Sequence, residues 1–329
     1  MPRHIPWSVA VPPEVYAEYC SVTMREYHSD PAAQMHVQLE GPRILHEKYG
    51  LPLRRSVAPD FTTYLTGSVF GLRFEVFEDQ IPAPVGHPIT SIQEAAKLEV
   101  PEPIAEAGYY PQALEFFRWM REHAPEDVTV GFSGGSQAPL TTAVVLRGEA
   151  LFVDIVDAPE LVHRFMETLT ESAIRQRVLA AELTGSPLRL ESIGFTDDYG
   201  GLLGPEHYVE FDVQYMLRIA EHFGATSRTI HTELLRKPHL AILQEHGWTF
   251  IDVGTDPHLT VSDCLEVLDI PFLVQMKSSQ ELLLATPEEI RATYRRMVEE
   301  GAQRMLVELC RGVPEENVRA FIEVAQQYE

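Results

Sequence analysis

The chain is short of cysteine and short of positive charge. Its 329 residues include only Cys20, Cys264 and Cys310, too few and too far apart for a disulfide framework, so a reducing, cytoplasmic setting is expected. Twenty-six Lys and Arg stand against 49 Asp and Glu, a formal charge of −23. Most of such a surface repels nucleic acid and anionic membranes, and a highly anionic ligand would need a local cluster of Arg or Lys. No apolar run approaches the roughly 20 residues needed to span a bilayer. The opening "MPRHIPWSVAVPPEVY" has few apolar residues before Pro12 and Pro13 and reads as neither signal peptide nor anchor. Internal repeats, low-complexity tracts and long linkers are also lacking. With 45% hydrophobic residues, one domain over residues 1–329 is the economical reading. Within it, residues 1–125 form an irregular N-terminal part.

From about residue 125 onward the chain alternates short apolar runs with longer segments of helical spacing, the pattern of a parallel sheet with crossover helices. The strand candidates are "DVTVGF" (127–132), "LRLESIGF" (188–195), "SRTIH" (227–231), "WTFIDV" (248–253), "PFLVQM" (271–276) and "RMLVEL" (304–309). Helix starts lie between them. Thr286 with Pro287 and Glu289 combines a capping threonine, a proline in the first turn and a capping-box glutamate. Asp157 with Glu160 and Ser91 with Glu94 repeat the capping logic. Val209, Val213, Met216, Ala220 and Phe223 give one apolar stripe to lay on a sheet. Six strand-then-helix units in about 200 residues suggest an α/β closed barrel. In the first part, residues 30–50 read as helix, 66–79 as a hairpin around Gly71, and 81–89 as an extended connector.

In a parallel β/α barrel the catalytic groups project from the C-terminal ends of the strands. After the first strand candidate, Gly134 and Gly135 precede Ser136, a loop that either brings its backbone N–H groups to a ligand or serves as a flexible turn. After the second come Asp197, Asp198 and Tyr199. Adjacent acids at a strand end point to different sides, so one of them faces the pocket as a base or a binding group, or else caps the next turn. After the third, His231 and Glu233 are two residues apart, which in extended backbone puts both on one face. They are metal ligands, or a core histidine beside an ordinary acid. Asp252, Lys277 and Arg311 end or follow the later strands. Cys310 lies beside Arg311, a cation that lowers a thiol's pKa where it is close. Together His231, Glu233 and Cys310, with Asp252 beside them, supply ligand types that Zn²⁺ accepts.

The blocks "GFSGGSQAPLTTAVVLRGEALFVDIVDAPELVHRFMETLTE" and "DDYGGLLGPEHYVEFDVQYMLRIAEHFG", the strand ending in His231, "TPEEI", and "LCRGVPEENVRAFIEVAQQY" resemble the uroporphyrinogen decarboxylase superfamily. The resemblance implies a (β/α)8 TIM barrel. It is closer to the methyltransferase-like members than to true uroporphyrinogen decarboxylase, because the arginine-bearing N-terminal segment of the decarboxylases has no counterpart in "MPRHIPWSVAVPPEVYAEY". For corrinoid-linked methyltransferases the resemblance implies a zinc site of a histidine, a cysteine two residues later and a late cysteine. His231 and Cys310 match, whereas Glu233 stands where the middle cysteine would be, and a carboxylate makes a metal a harder Lewis acid. The expectation is a metal-dependent, methyltransferase-like enzyme in which His231, Glu233 and Cys310 bind the metal. Asp197, Asp198 and Tyr199 carry the chemistry, and Gly134, Gly135, Ser136, Asp252, Lys277 and Arg311 contact substrate. Methylcobalamin or a corrinoid protein is the implied methyl donor or acceptor. The alternatives are a metal-free decarboxylase of uroporphyrinogen or another acid, and a non-catalytic ligand-binding barrel.

Overall fold

A computed structural model describes residues 4–61, 63 and 65–328. Among these residues ten strands form, and eight of them pair in parallel. β6 (Ser192–Asp197), β7 (Ser227–Thr232), β8 (Phe250–Asp252) and β9 (Phe272–Leu273) make one four-stranded sheet in sequence order. β1 (Trp7–Ala10) pairs with β10 (Met305–Glu308), and β2 (Ser56–Val57) pairs with β5 (Thr129–Val130). Single parallel bridges join these pieces, Gln137 beyond β5 to Thr196 of β6, and Met276 beyond β9 to Val307 of β10. Parallel pairing therefore runs β2, β5, β6, β7, β8, β9, β10, β1.

The α/β class is as expected, but the hydrogen bonds trace an arc and not a closed ring. Among the described residues no strand pairing joins β1 to β2. β1 runs into Pro12 and Pro13, β2 is only two residues long, and proline cannot donate to a ladder. Val11, Tyr16, Arg54 and Val57 line a cavity of ≈ 420 Å³ there.

The helices that return the chain between the later strands bury the stripes expected of them. Met216, Ala220 and Phe223 of the helix Gln214–Phe223 are buried, and the turn before it, Val209–Val213, is a π-helix. Thr286 caps Pro287–Glu299 with a complete capping box, and Ser91 accepts the N–H of Glu94 at 3.2 Å. Asp157 does not cap the long helix Pro159–Thr184. It ends the preceding helix, and Ala158 takes the N-cap position with a proline in the first turn. One apolar core links most elements, from Ile5 to Ala325.

The N-terminal part is less irregular than expected. Residues Pro31–Tyr49 form the helix anticipated there, stopped by Gly50 at φ 72°. The hairpin is displaced: β3 (Phe74–Glu75) pairs antiparallel with β4 (Ala83–Pro84), so the supposed connector supplies its second strand. Gly71, at φ 92°, turns the chain after a short helix, Leu65–Ser68. No helix among the described residues is long and apolar enough to cross a membrane.

Candidate functional site

The ladder places Thr196, His231 and Asp252 side by side at the ends of β6, β7 and β8. His231 Nδ1 lies 3.0 Å from Asp252 Oδ2. Asp252 is held in turn by the Gln275 amide at 2.9 and 3.2 Å and by the Gly254 N–H at 2.9 Å. With an acceptor on its Nδ1 side, the imidazole carries its proton there and leaves Nε2 to the site. The hydrogen bond to Asp252 raises the His231 pKa against its burial, and the charges of Asp252, Glu233 and Asp198 add to the rise.

Glu233 lies beside it. Its Oε1 accepts from the Thr255 N–H and hydroxyl, each at 3.3 Å. A β-carbon on Gly254, at φ 57°, would sit 2.7 Å from Glu233 Oε1 and 3.1 Å from His231 Cε1. Glycine is therefore what lets the histidine and glutamate lie together over this loop.

Of the adjacent acids, Asp198 is the half-exposed one. Burial raises its pKa, as do Asp197 and Glu233, while His231 opposes the rise. Asp197 is fully buried and accepts the N–H groups of Tyr199 at 3.2 Å and Gly200 at 3.0 Å. It belongs beneath the loop, not in the pocket.

Two further carboxyls lack any counterpart in the sequence reading. Glu308, at the end of β10, has its pKa raised by burial and then by Glu14, with Glu233 adding and His231 opposing. Glu14 follows β1, and burial raises its pKa as well. Both line a cavity of ≈ 490 Å³ with Asp60, Phe61, Phe132 and Ser136. Among the described residues that line it there is no Lys or Arg. Glu308 was within reach of sequence reasoning, because it stands two residues before Cys310 and so shares a face with it in extended backbone. Glu14, in a proline-broken segment, carried no such signal.

The remaining expected residues divide. Gly135 and Ser136 line the cavity, and the Ser136 hydroxyl is 3.2 Å from that of Thr196. Gly134 answers to packing: a β-carbon there would meet the Arg177 backbone at 2.5 Å. The Lys277 N–H is bound by Glu281 Oε2 at 2.9 Å, opening the turn Ser278–Leu283. Arg311 does not activate Cys310. Its guanidinium pairs with Glu18 and Asp79, while burial, Glu308 and Glu14 push the Cys310 thiol up, and Sγ contacts the Ser278 carbonyl at 3.9 Å.

His231 and Glu233 are thus brought together and Cys310 is not added to them as a thiolate. Among the described residues no three His, Cys, Asp or Glu side chains are grouped to hold a metal ion. The donors present do not fit a three-ligand zinc centre.

Residues 3–328 match the family model described as uroporphyrinogen decarboxylase. The chain belongs to the uroporphyrinogen decarboxylase family. A family member from Vibrio vulnificus (strain YJ016), named uroporphyrinogen decarboxylase, is 26% identical over 283 residues, which are 82% of this chain and 77% of that protein. One of the same name from Hydrogenovibrio crunogenus is 26% identical over 239 residues, 70% of this chain and 65% of the relative. Among solved structures, a methyltransferase from Methanosarcina mazei superposes with a TM-score of 0.72 at 18% identity, covering 99% of this chain and 94% of that one. The fold of this family member is therefore shared with a methyltransferase and its sequence with decarboxylases. Members of the superfamily are enzymes, and the choice between the two activities falls to the site.

Proposed function

We propose that this chain is a methyltransferase-like enzyme on a (β/α)8 barrel that takes a methyl group from oxygen or nitrogen of a small, uncharged or cationic substrate and returns a proton to that atom. The observation that carries this reading is the run of acids from the His231 site to the cavity: Asp198 near His231, and Glu308 and Glu14 in the cavity wall, all hold their protons more tightly than ordinary carboxyls, and the cavity has no Lys or Arg among its described lining residues. A substrate with many carboxylates would meet this acidic lining with no Lys or Arg among its described residues to bind it.

When a carbon–oxygen or carbon–nitrogen bond to methyl breaks, its electron pair stays on the heteroatom. A positioned acid that protonates that atom lowers the barrier. His231 is built for this, with Asp252 fixing the ring and Nε2 directed to the site. Asp198 is the nearby group that can restore the proton. The methyl itself requires a nucleophilic acceptor, and a corrinoid, free or on a partner protein, supplies that chemistry when bound. Ile81, in the cavity lining, is 47% exposed and offers apolar surface to such a ring.

The names of the curated relatives favour decarboxylation as the second reading. One experiment separates the two: the purified protein is given uroporphyrinogen in one reaction, and methoxylated or N-methylated compounds with cob(I)alamin in another. Methylcobalamin formation without loss of carboxyl groups from uroporphyrinogen is expected. Conversion of uroporphyrinogen with no methyl transfer would overturn the proposal.

A further inference from the structure

The loop that presents Asp198 rests on two aspartates that solvent does not reach. Asp197 ends β6 and Asp212 lies in the π-helix Val209–Val213, and both are fully buried. Asp197 Oδ1 is satisfied by Tyr199 N–H, Gly200 N–H and the Thr141 hydroxyl at 3.2 Å. Its Oδ2, and both oxygens of Asp212, find no donor among the other described residues.

These orphan oxygens face one another. The β-carbon position of Gly200 lies 2.2 Å from Asp197 Oδ2 and 2.9 Å from Asp212 Oδ2, with the Tyr208 ring at 2.5 Å. Two carboxyl groups in contact can satisfy each other only when one of them carries a proton. Only glycine leaves room for that contact. The connection continues to the site, because Thr141 Oγ1 donates to Asp197 and also accepts the Asp198 N–H at 3.0 Å.

We infer that Asp197 and Asp212 share one proton, carried by Asp212, and that the pair is a positioning device for Asp198. Burial and the charge of Asp197 hold Asp212 well above the ordinary carboxyl range, whereas hydrogen bonds oppose the rise at Asp197. The titratable groups around the pair are Asp198, Tyr208 and His239. The Tyr208 phenol is itself pushed well up by burial and both aspartates. The His239 ring packs against Tyr208 at 5.1 Å and points Nε2 at the Leu203 carbonyl. Thr232, in register with Asp197 on β7, is also buried. No cation stands among these groups to permit two charges. A π-helix at this point fits the pattern that such bulges mark functional sites.

The inference does not depend on which reaction the site performs. Infrared difference spectra of wild type against Asp212→Asn at pH 7 should show a protonated carboxyl band that the variant lacks. Asp212→Asn should fold and keep the Tyr199 and Gly200 amides protected, because its amide donates permanently to Asp197. Asp212→Val should speed exchange at those amides by about tenfold or more through local opening. Absence of a carboxyl band removed by Asp212→Asn would overturn the inference, whether or not Asp212→Val folds. So would a difference in stability between wild type and Asp212→Asn that stays constant from acid to alkaline pH.

Discussion

His231 and Asp252 come from adjacent strands, in register, and meet through a 3.0 Å contact between Nδ1 and Oδ2. Gln275 and Gly254 hold the aspartate, and the negative charge of Glu233 and Asp198 adds to the rise in the imidazole's pKa.

Asp252→Asn should therefore lower the His231 pKa, read directly by NMR titration of the imidazole. In the folded wild type that pKa lies above its unfolded value. The pair's contribution to stability is thus complete below the unfolded pKa and fades as pH rises through the folded one. The variant should lose more stability at pH 5.5 than at pH 9. Turnover should fall by roughly 10²-fold, as expected for a disabled acid. An equal loss of stability at both pH values would count against the ion pair.

Gly254→Ala would place a methyl against Glu233 and His231 in a left-handed backbone position. A destabilisation of about 1–2 kcal/mol is expected, together with a displaced His231 resonance. Thermal unfolding and the same NMR titration check this, and an unperturbed histidine signal would show that the two side chains do not depend on the glycine.

Glu308→Gln should raise the melting temperature at pH 8 and leave it nearly unchanged at pH 4. The carboxyl pKa is raised in the fold, so the native state favours the protonated form and loses stability as pH rises through the folded pKa. The amide removes that loss. The same variant should weaken binding of a cationic substrate more than of an uncharged one. A melting temperature that falls at pH 8 would mean that Glu308 is held as a stabilising anion.

Cys310→Ser should leave activity within about twofold, since the thiol is half-buried, has a raised pKa and is bonded weakly to a carbonyl, and a thiol of raised pKa is a poor nucleophile and ligand. His231→Ala should abolish activity. Equal losses in the two variants, with stoichiometric zinc in the wild type by elemental analysis, would restore the three-ligand site that the side chains do not form.

Much of this was legible in the sequence, and the exceptions have physical causes. The late strands were visible because each is a short apolar run followed by polar residues, and Thr286 marked a helix because its capping chemistry is local. β1 and β2 were missed because four residues between prolines and two residues after Arg55 carry no periodicity; their partners, β10 and β5, lie far away in sequence. At the site, His231 was visible through position and Glu233 through spacing. The pairing of His231 with Asp252 depends on strand register, which no local pattern encodes. Asp197 and Asp198 were rightly set on opposite sides, but Asp212, the partner of Asp197, lies in a π-helix that the regular apolar stripe concealed. Arg311 was adjacent to Cys310 in sequence and engaged elsewhere in space.

The central claim, that His231 protonates the atom from which methyl departs, is tested most directly by leaving-group dependence. Methyl transfer to cob(I)alamin is measured for wild type and His231→Gln on a series of methylated phenols of graded acidity. The loss in the variant should be small for the most acidic phenol and grow steadily as the departing oxygen becomes more basic. A loss of the same size across the series would contradict a proton-donating role for His231.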